Sequence, residues 1–176
     1  MTTLKSKLLG QGHAFGPMLM EFFSPGLPAI IVAIGADFAL FDMEHTGGSL
    51  ETMKAMVAGC RGLGLAPVVR VPRGEYHFIA RALDIGAHGI MVPMVGSAAE
   101  GAAIASAAHY PPADRRGAGF CIAHDDYRIA PPPDTMARAA ARTLTIAQIE
   151  TVEGLDDVEA IAATSGIDVV WLALQL

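Results

Sequence analysis

Charge is scarce in this sequence. Asp, Glu, Lys and Arg make up 17% of it against 52% hydrophobic residues, which excludes a disordered chain, since those are too polar to bury a core. Basic clusters are missing: twelve Lys and Arg are scattered among eighteen Asp and Glu, and the formal net charge of -6 leaves no footprint for nucleic-acid phosphates. Long apolar runs are missing as well. No stretch reaches the roughly 18 uninterrupted apolar residues of a membrane span. The opening MTTLKSKLLGQGHAFG lacks the apolar centre and small-residue cleavage site of a secretory leader, so the expectation is a soluble, cytoplasmic protein without a membrane partner. Cysteine is nearly absent. Cys60 and Cys121 stand alone in no CxxC pattern, which gives no zinc signature, suits a reducing compartment and reads as two small, partly buried side chains.

What is present is alternation. Short apolar runs near Gly16–Met20, Phe38–Asp42, Ala66–Val71, Gly89–Pro93, Leu144–Glu150 and Asp168–Ala173 read as strands. Between them, Pro25–Ile34, Ser49–Arg61, Tyr76–Ile85, Ala98–Ala108 and Leu155–Thr164 read as helices, with Ser24 and Pro25 as a start signal and Gly35 and Gly86 as stops. Strand and helix in turn are the pattern of βα units on a parallel sheet. The strand runs FALF, PVV and GIMV are continuously apolar, so both sheet faces are expected to be covered. One segment, Tyr110–Pro133, has too many prolines and turn residues for regular structure and reads as a long excursion, a place where function often resides. No repeat or linker divides residues 1–176, which read as a single domain. Six strands are visible, whereas a closed eight-stranded barrel would need two more units and about 70 to 80 further residues.

In parallel α/β architectures the rim beyond the strand C-termini is left open by the covering helices, and chemistry gathers there. The second strand ends in Asp42, followed by Glu44 and His45; the third ends in Arg70, the fourth at Pro93, and the fifth carries Gln148 and Glu150. Each alone has a plain structural reading: Asp42 as a helix cap, Arg70 as a salt-bridged rim residue, Glu150 as a solvated carboxylate. Together they converge. Gln148 and Glu150, two apart on a strand, share a side, and Arg70 closes a fully apolar run where a surface charge is out of place. His45 is suited to proton transfer near neutral pH. Glu150 offers a hard oxygen for Mg²⁺ or Mn²⁺, and Arg70 a cation for negative charge developing on a carbonyl oxygen.

The segments GADFALFDMEHTGGSLETM, APVVRVPRGE, ALDIGAHGIMVPMV, HYPPADRRGAG and TIAQIETVEGLDDVEAIAATSGIDVVWL, from about Gly16 to the last residue, resemble in order and spacing the HpcH/HpaI family of class II pyruvate aldolases. That family includes the 4-hydroxy-2-oxoheptanedioate and 2-keto-3-deoxy sugar acid aldolases. The resemblance implies a (β/α)8 TIM barrel of the phosphoenolpyruvate/pyruvate type, of which about six units are encoded here. It implies a divalent metal (Mg²⁺, Mn²⁺ or Co²⁺), pyruvate or oxaloacetate as the enolate source, an aldehyde acceptor and a homo-oligomer, with no Schiff-base lysine. Carried over residue by residue, His45 matches the catalytic base, assisted by Asp84 in ALDIGA and supported by Asp42. Arg70 matches the arginine on the keto oxygen, Gln148 a substrate-pocket glutamine, Glu150 the first metal carboxylate, and Glu44 is placed in the same pocket. On sequence alone Asp84 would be a residue in the last turn of a helix; only the resemblance promotes it.

Two departures stand out. Asp114 occupies a position where relatives usually have glycine, and FCIAHDDYR is unusual, which bears on acceptor specificity; His124, Asp125 and Asp126 read there as a solvated polar loop. After WLALQL the family's glycine-rich turn and second metal carboxylate have no counterpart, and Asp156, Asp157 and Asp168 are poorly placed to replace it. The expectation is therefore a metal-dependent carbon-carbon lyase acting on 4-hydroxy-2-oxo acids, apparently truncated at its C-terminus. Two alternatives stay open: a catalytically silent barrel fragment or assembly component, and oxaloacetate decarboxylase-type enolate chemistry on the same residues.

Overall fold

A computed structural model describes residues 2–173. Six parallel strands run in chain order across one sheet: β1 (Met18–Leu19), β2 (Phe38–Asp42), β3 (Ala66–Arg70), β4 (Gly89–Val92), β5 (Leu144–Ile149) and β6 (Val169–Leu172). Helices α2 (Leu27–Ala33), α3 (Leu50–Gly59), α4 (Tyr76–Asp84) and α5 (Ala98–Ala108) follow the first four strands, and α7 (Val152–Asp156) and α8 (Val158–Ala163) follow the fifth. The result is a parallel α/β half-barrel. The sheet has six strands among the described residues, with β1 and β6 at its two edges.

Period-two alternation divides the strand side chains between two cores. Ala39, Phe41, Val69, Ile90, Val92, Ala147 and Ile149 point outward and pack with the helices, joining Met53 and Met56 of α3, Ile79 and Leu83 of α4, and Ile104 of α5. Leu40, Ala66, Val68, Met91, Leu144 and Ile146 point into the concave side. That inner face is covered less fully than the apolar runs suggest. An apolar groove of about 160 Å³ runs along Leu40, Val68, Met91, Ile146 and Trp171, and Trp171 and Leu172 of β6 are exposed.

Two helices lie outside the sequence-based expectation. α1 (Leu4–Leu9) is only six residues long; Thr3 and Ser6 form a reciprocal capping box at its start, and it tucks Leu4 and Leu8 into the base of the concave side. Lys5 fastens it there through Asp168 (2.9 Å) and the Thr143 carbonyl (3.0 Å). α6 (Pro132–Arg142) emerges from the end of the Tyr110–Pro133 excursion, which otherwise holds only a 3-10 turn at Ala123–Asp125. A run of prolines hid its start, yet proline is well tolerated in a helix's first turn.

Two helix boundaries differ from expectation. α2 begins at Leu27 rather than Pro25: Leu27 N–H donates to the Ser24 carbonyl in a turn, Gly26 is the cap residue, and Pro28 takes the first-turn position. The expected helix Leu155–Thr164 starts earlier and breaks at Asp157, whose carboxylate accepts from the Ala98 N–H at the start of α5 (2.7 Å) and so leaves the helical path. Gly35 (φ +82°) and Gly86 (φ +101°) stop their helices as expected, in backbone conformations that favour glycine. Gly154 has a different reason: a Cβ there would clash with the Val95 carbonyl, so glycine lets α7 lie against the loop after β4.

Candidate functional site

Register builds the centre of the site. β2 and β3 pair with Asp42 opposite Arg70, the last residue of each strand, and both continue the inward row of Leu40 and Val68. Arg70 therefore meets Asp42 as a fork: Nε donates to Oδ1 (2.7 Å) and Nη2 to Oδ2 (2.9 Å), with Asp42 fully buried and Arg70 nearly so. Bidentate charge-assisted pairs of this kind fix orientation as well as charge.

Asp42 also shapes the turn after β2. It accepts from the backbone N–H groups of Glu44 (2.9 Å) and His45 (3.1 Å), while Thr46 Oγ1 donates to the Asp42 carbonyl (2.9 Å). Burial resists ionisation of Asp42, but the Arg70 hydrogen bonds and these two amides outweigh it and hold its carboxyl below the usual range. Burial likewise opposes charge on Arg70, and the Asp42 hydrogen bonds overcome it, so the guanidinium is held more firmly protonated than usual.

Glu44 bridges this pair to His45. Its Oε2 lies 3.3 Å from Arg70 Nη1 and 3.6 Å from His45 Nε2, close enough for charge attraction but aligned with neither as a hydrogen bond. Burial raises the Glu44 carboxyl, with Arg70 and His45 opposing and the negative neighbours Glu150 and Asp42 adding to the rise. The His45 ring is largely exposed, on the solvent side of the rim.

Across the rim, Glu150 is held at both oxygens: Oε1 accepts from Met94 N–H (3.0 Å) and Oε2 from Gln148 Nε2 (3.1 Å). Gln148 is buried, and its Oε1, like Glu44 Oε2, is a buried acceptor without an aligned donor among the described residues. Buried acceptors are rarely left so. Met94 was not anticipated; its backbone takes φ +57° after Pro93 and its N–H donates to Glu150, and the segment GIMVPM carries no local signal for that contact.

The structure does not bring Asp84 to His45 within the chain. Asp84 is the last residue of α4, whose first turn lies at the rim, and a nine-residue helix carries it roughly 12 Å away. It pairs instead with buried Arg116 (2.6 Å), which lies over the Tyr110 ring. His124 and Asp125 are not solvated as expected: both are buried, His124 Nε2 against the Gly119 carbonyl and Asp125 accepting from Cys121 N–H (2.6 Å). Asp157 is engaged by the Ala98 N–H at the start of α5, and Asp168 binds Lys5 at the other end of the sheet.

The chain as a whole has known relatives. The profile of the HpcH/HpaI aldolase/citrate lyase family matches residues 19–175. The chain belongs to this family. Its relatives within HpcH/HpaI include a hydroxypyruvate/pyruvate aldolase of Roseovarius nubinhibens, 35% identical over 151 residues, covering 86% of this chain and 58% of that protein. A 4-hydroxy-2-oxovalerate aldolase of Novosphingobium aromaticivorans is 38% identical over 165 residues, covering 89% and 61%. The crystal structure of an HpcH/HpaI aldolase from Desulfitobacterium hafniense superimposes with a TM-score of 0.92 at 29% identity, over 98% of this chain and 66% of that one. The chain thus spans about three fifths of the curated relatives it matches.

The HpcH/HpaI rim yields a pH test. A carboxyl whose pKa is raised on folding contributes stability below its unfolded value near 4.3 and loses it as pH rises through the folded value. Glu44→Gln removes that loss, so from pH 5 to 8 the variant's melting temperature is expected to rise relative to the unsubstituted chain. Differential scanning fluorimetry across that range would contradict the charge balance at Glu44 if the two curves ran parallel.

Proposed function

We propose that this chain carries the enolate-forming part of an aldolase site that makes or cleaves 4-hydroxy-2-oxo acids, with pyruvate or oxaloacetate and an aldehyde as partners. The observation that carries the reading is the rim itself: a guanidinium locked by Asp42, with its Nη1 edge facing Glu44, His45 within reach, and two buried acceptors awaiting donors. Arg70 holds the keto oxygen and stabilises the charge that develops on it as the adjacent C–H or C–C bond breaks. His45 carries the proton to and from the reacting group, and Gln148 orients the substrate. The aldolase names of the relatives support the same chemistry.

Mg²⁺, Mn²⁺ or Co²⁺ needs about six oxygen or nitrogen ligands. Glu150, held in place by Met94 and Gln148, fits one carboxylate position of such a site. Among the described residues no three His, Cys, Asp or Glu side chains converge to complete it. A bound cation would supply Lewis acidity to the keto acid; the described donors alone do not build its site. That shortfall favours a second reading, in which the chain is silent until another polypeptide adds ligands.

Titration with Mn²⁺ or Co²⁺ separates the two. Micromolar binding accompanied by pyruvate release from a 4-hydroxy-2-oxo acid, and loss of both after removal of the metal with EDTA, is the expected result for the aldolase. Absence of binding and of turnover would leave the silent component.

A further inference from the structure

A cavity of about 540 Å³ lies away from the rim. It opens at the other end of the sheet, where β3 and β4 begin at Ala66 and Gly89, and its volume is that of a small-molecule site. Two arginines far apart in sequence reach it. Arg61, just beyond α3, donates through Nη2 to the Ala123 carbonyl (2.7 Å), and Arg142, the last residue of α6, donates through Nη2 to the His124 carbonyl (2.6 Å). A single 3-10 turn therefore holds both guanidinium groups at the cavity wall.

Their charge is poorly matched. Arg142 has no carboxylate within 4 Å among the described residues, and its Nε is buried without an acceptor. Arg61 has one carboxylate among the described residues, the half-exposed Asp126 at 3.6 Å, and lies over the Tyr127 ring, while Lys7 and Asp37 neutralise each other. Each guanidinium carries five N–H donors and makes one hydrogen bond among the described residues, and both side chains line the cavity. A desolvated cation without a partner is costly, and an anion would repay that cost. His88 completes the wall: burial first, then the nearby Arg142, pushes its imidazole down to about 4, so at neutral pH it is an uncharged group able to donate or accept.

We propose that this cavity is a second ligand site, separate from the rim, that binds a small organic oxyanion between Arg142, Arg61 and His88. The charged end, a phosphate ester or a carboxylate, sits on the two guanidinium groups. The remaining volume accommodates the carbon skeleton against Val57 and Leu65.

The test uses the full chain, with inorganic phosphate and malonate titrated separately and followed by histidine ring NMR and by thermal shift. Saturable movement of the His88 resonances, with a rise in the His88 pKa as Arg142 is neutralised, is expected for at least one probe. Saturation by phosphate alone assigns a phosphate ester; saturation by malonate alone assigns a carboxylate. Arg142→Gln is expected to weaken binding at least about tenfold. Asp126→Asn removes the competing carboxylate while keeping a residue that tolerates φ +58°, and is expected to tighten binding roughly two- to fivefold. The proposal is overturned if neither probe saturates below about 20 mM, if Asp126→Asn fails to tighten binding, or if His45 responds in place of His88.

Discussion

Asp42→Ala is expected to cost about 3–5 kcal/mol, because it strands Arg70 as a buried charge whose two best hydrogen bonds are gone. For a domain of this size that is a fall in melting temperature of roughly 6 to 20 °C. The same change frees the backbone N–H groups of Glu44 and His45, so the turn that presents the histidine loosens as well. Two further observations separate a pair effect from a simple packing loss. Asp42→Ala combined with Arg70→Met should be more stable than Asp42→Ala alone, since the stranded charge is then removed. The pH dependence carries a sign: a carboxyl held below its ordinary value gives stability that is present above about pH 4 and is lost as pH falls through the folded value. Urea unfolding at pH 7 and pH 3 measures both. A single-variant loss below about 1 kcal/mol would mean that the pair is solvated.

Arg70→Lys is the complementary experiment, aimed at activity. Lysine keeps the charge and can still approach Asp42, so the fold should largely survive. What it cannot keep is the planar fork, with two donors on Asp42 and a third edge turned toward Glu44 and the rim. If Arg70 stabilises charge on a keto oxygen, kcat/KM for pyruvate release should fall by roughly 10²–10³, the usual range for removing one aligned donor. Turnover within about threefold of the unsubstituted chain would reduce Arg70 to a structural partner of Asp42, the plain reading its sequence position also allowed. His45→Ala, assayed alongside, is expected to lose turnover with little change in melting temperature, because its ring is largely exposed.

How much of this could be read in advance depends on how local each signal is. The strands announced themselves, since FALF, PVV and GIMV are apolar runs of strand length and period-two geometry then sends Asp42, Arg70 and Gln148 inward at their ends. Gly35 and Gly86 marked helix ends for an equally local reason, a backbone conformation costly to other residues. The six-residue α1 has too few turns for a periodic pattern, and α6 was hidden behind prolines. The break at Asp157 was invisible because its cause, the Ala98 N–H, lies 59 residues away.

The sequence by itself determined the parallel α/β class and the family to which the chain belongs, because these rest on hydrophobic period and on motifs contained within single segments. Only the tertiary structure decided which of the rim residues touch. Strand register set Asp42 against Arg70 across 28 positions, and the length of α4 took Asp84 away from His45. It also decided that Arg61 and Arg142, 81 residues apart, would share one 3-10 turn and one cavity. Charge pairing and desolvation act through space, so they leave no periodic trace along the chain.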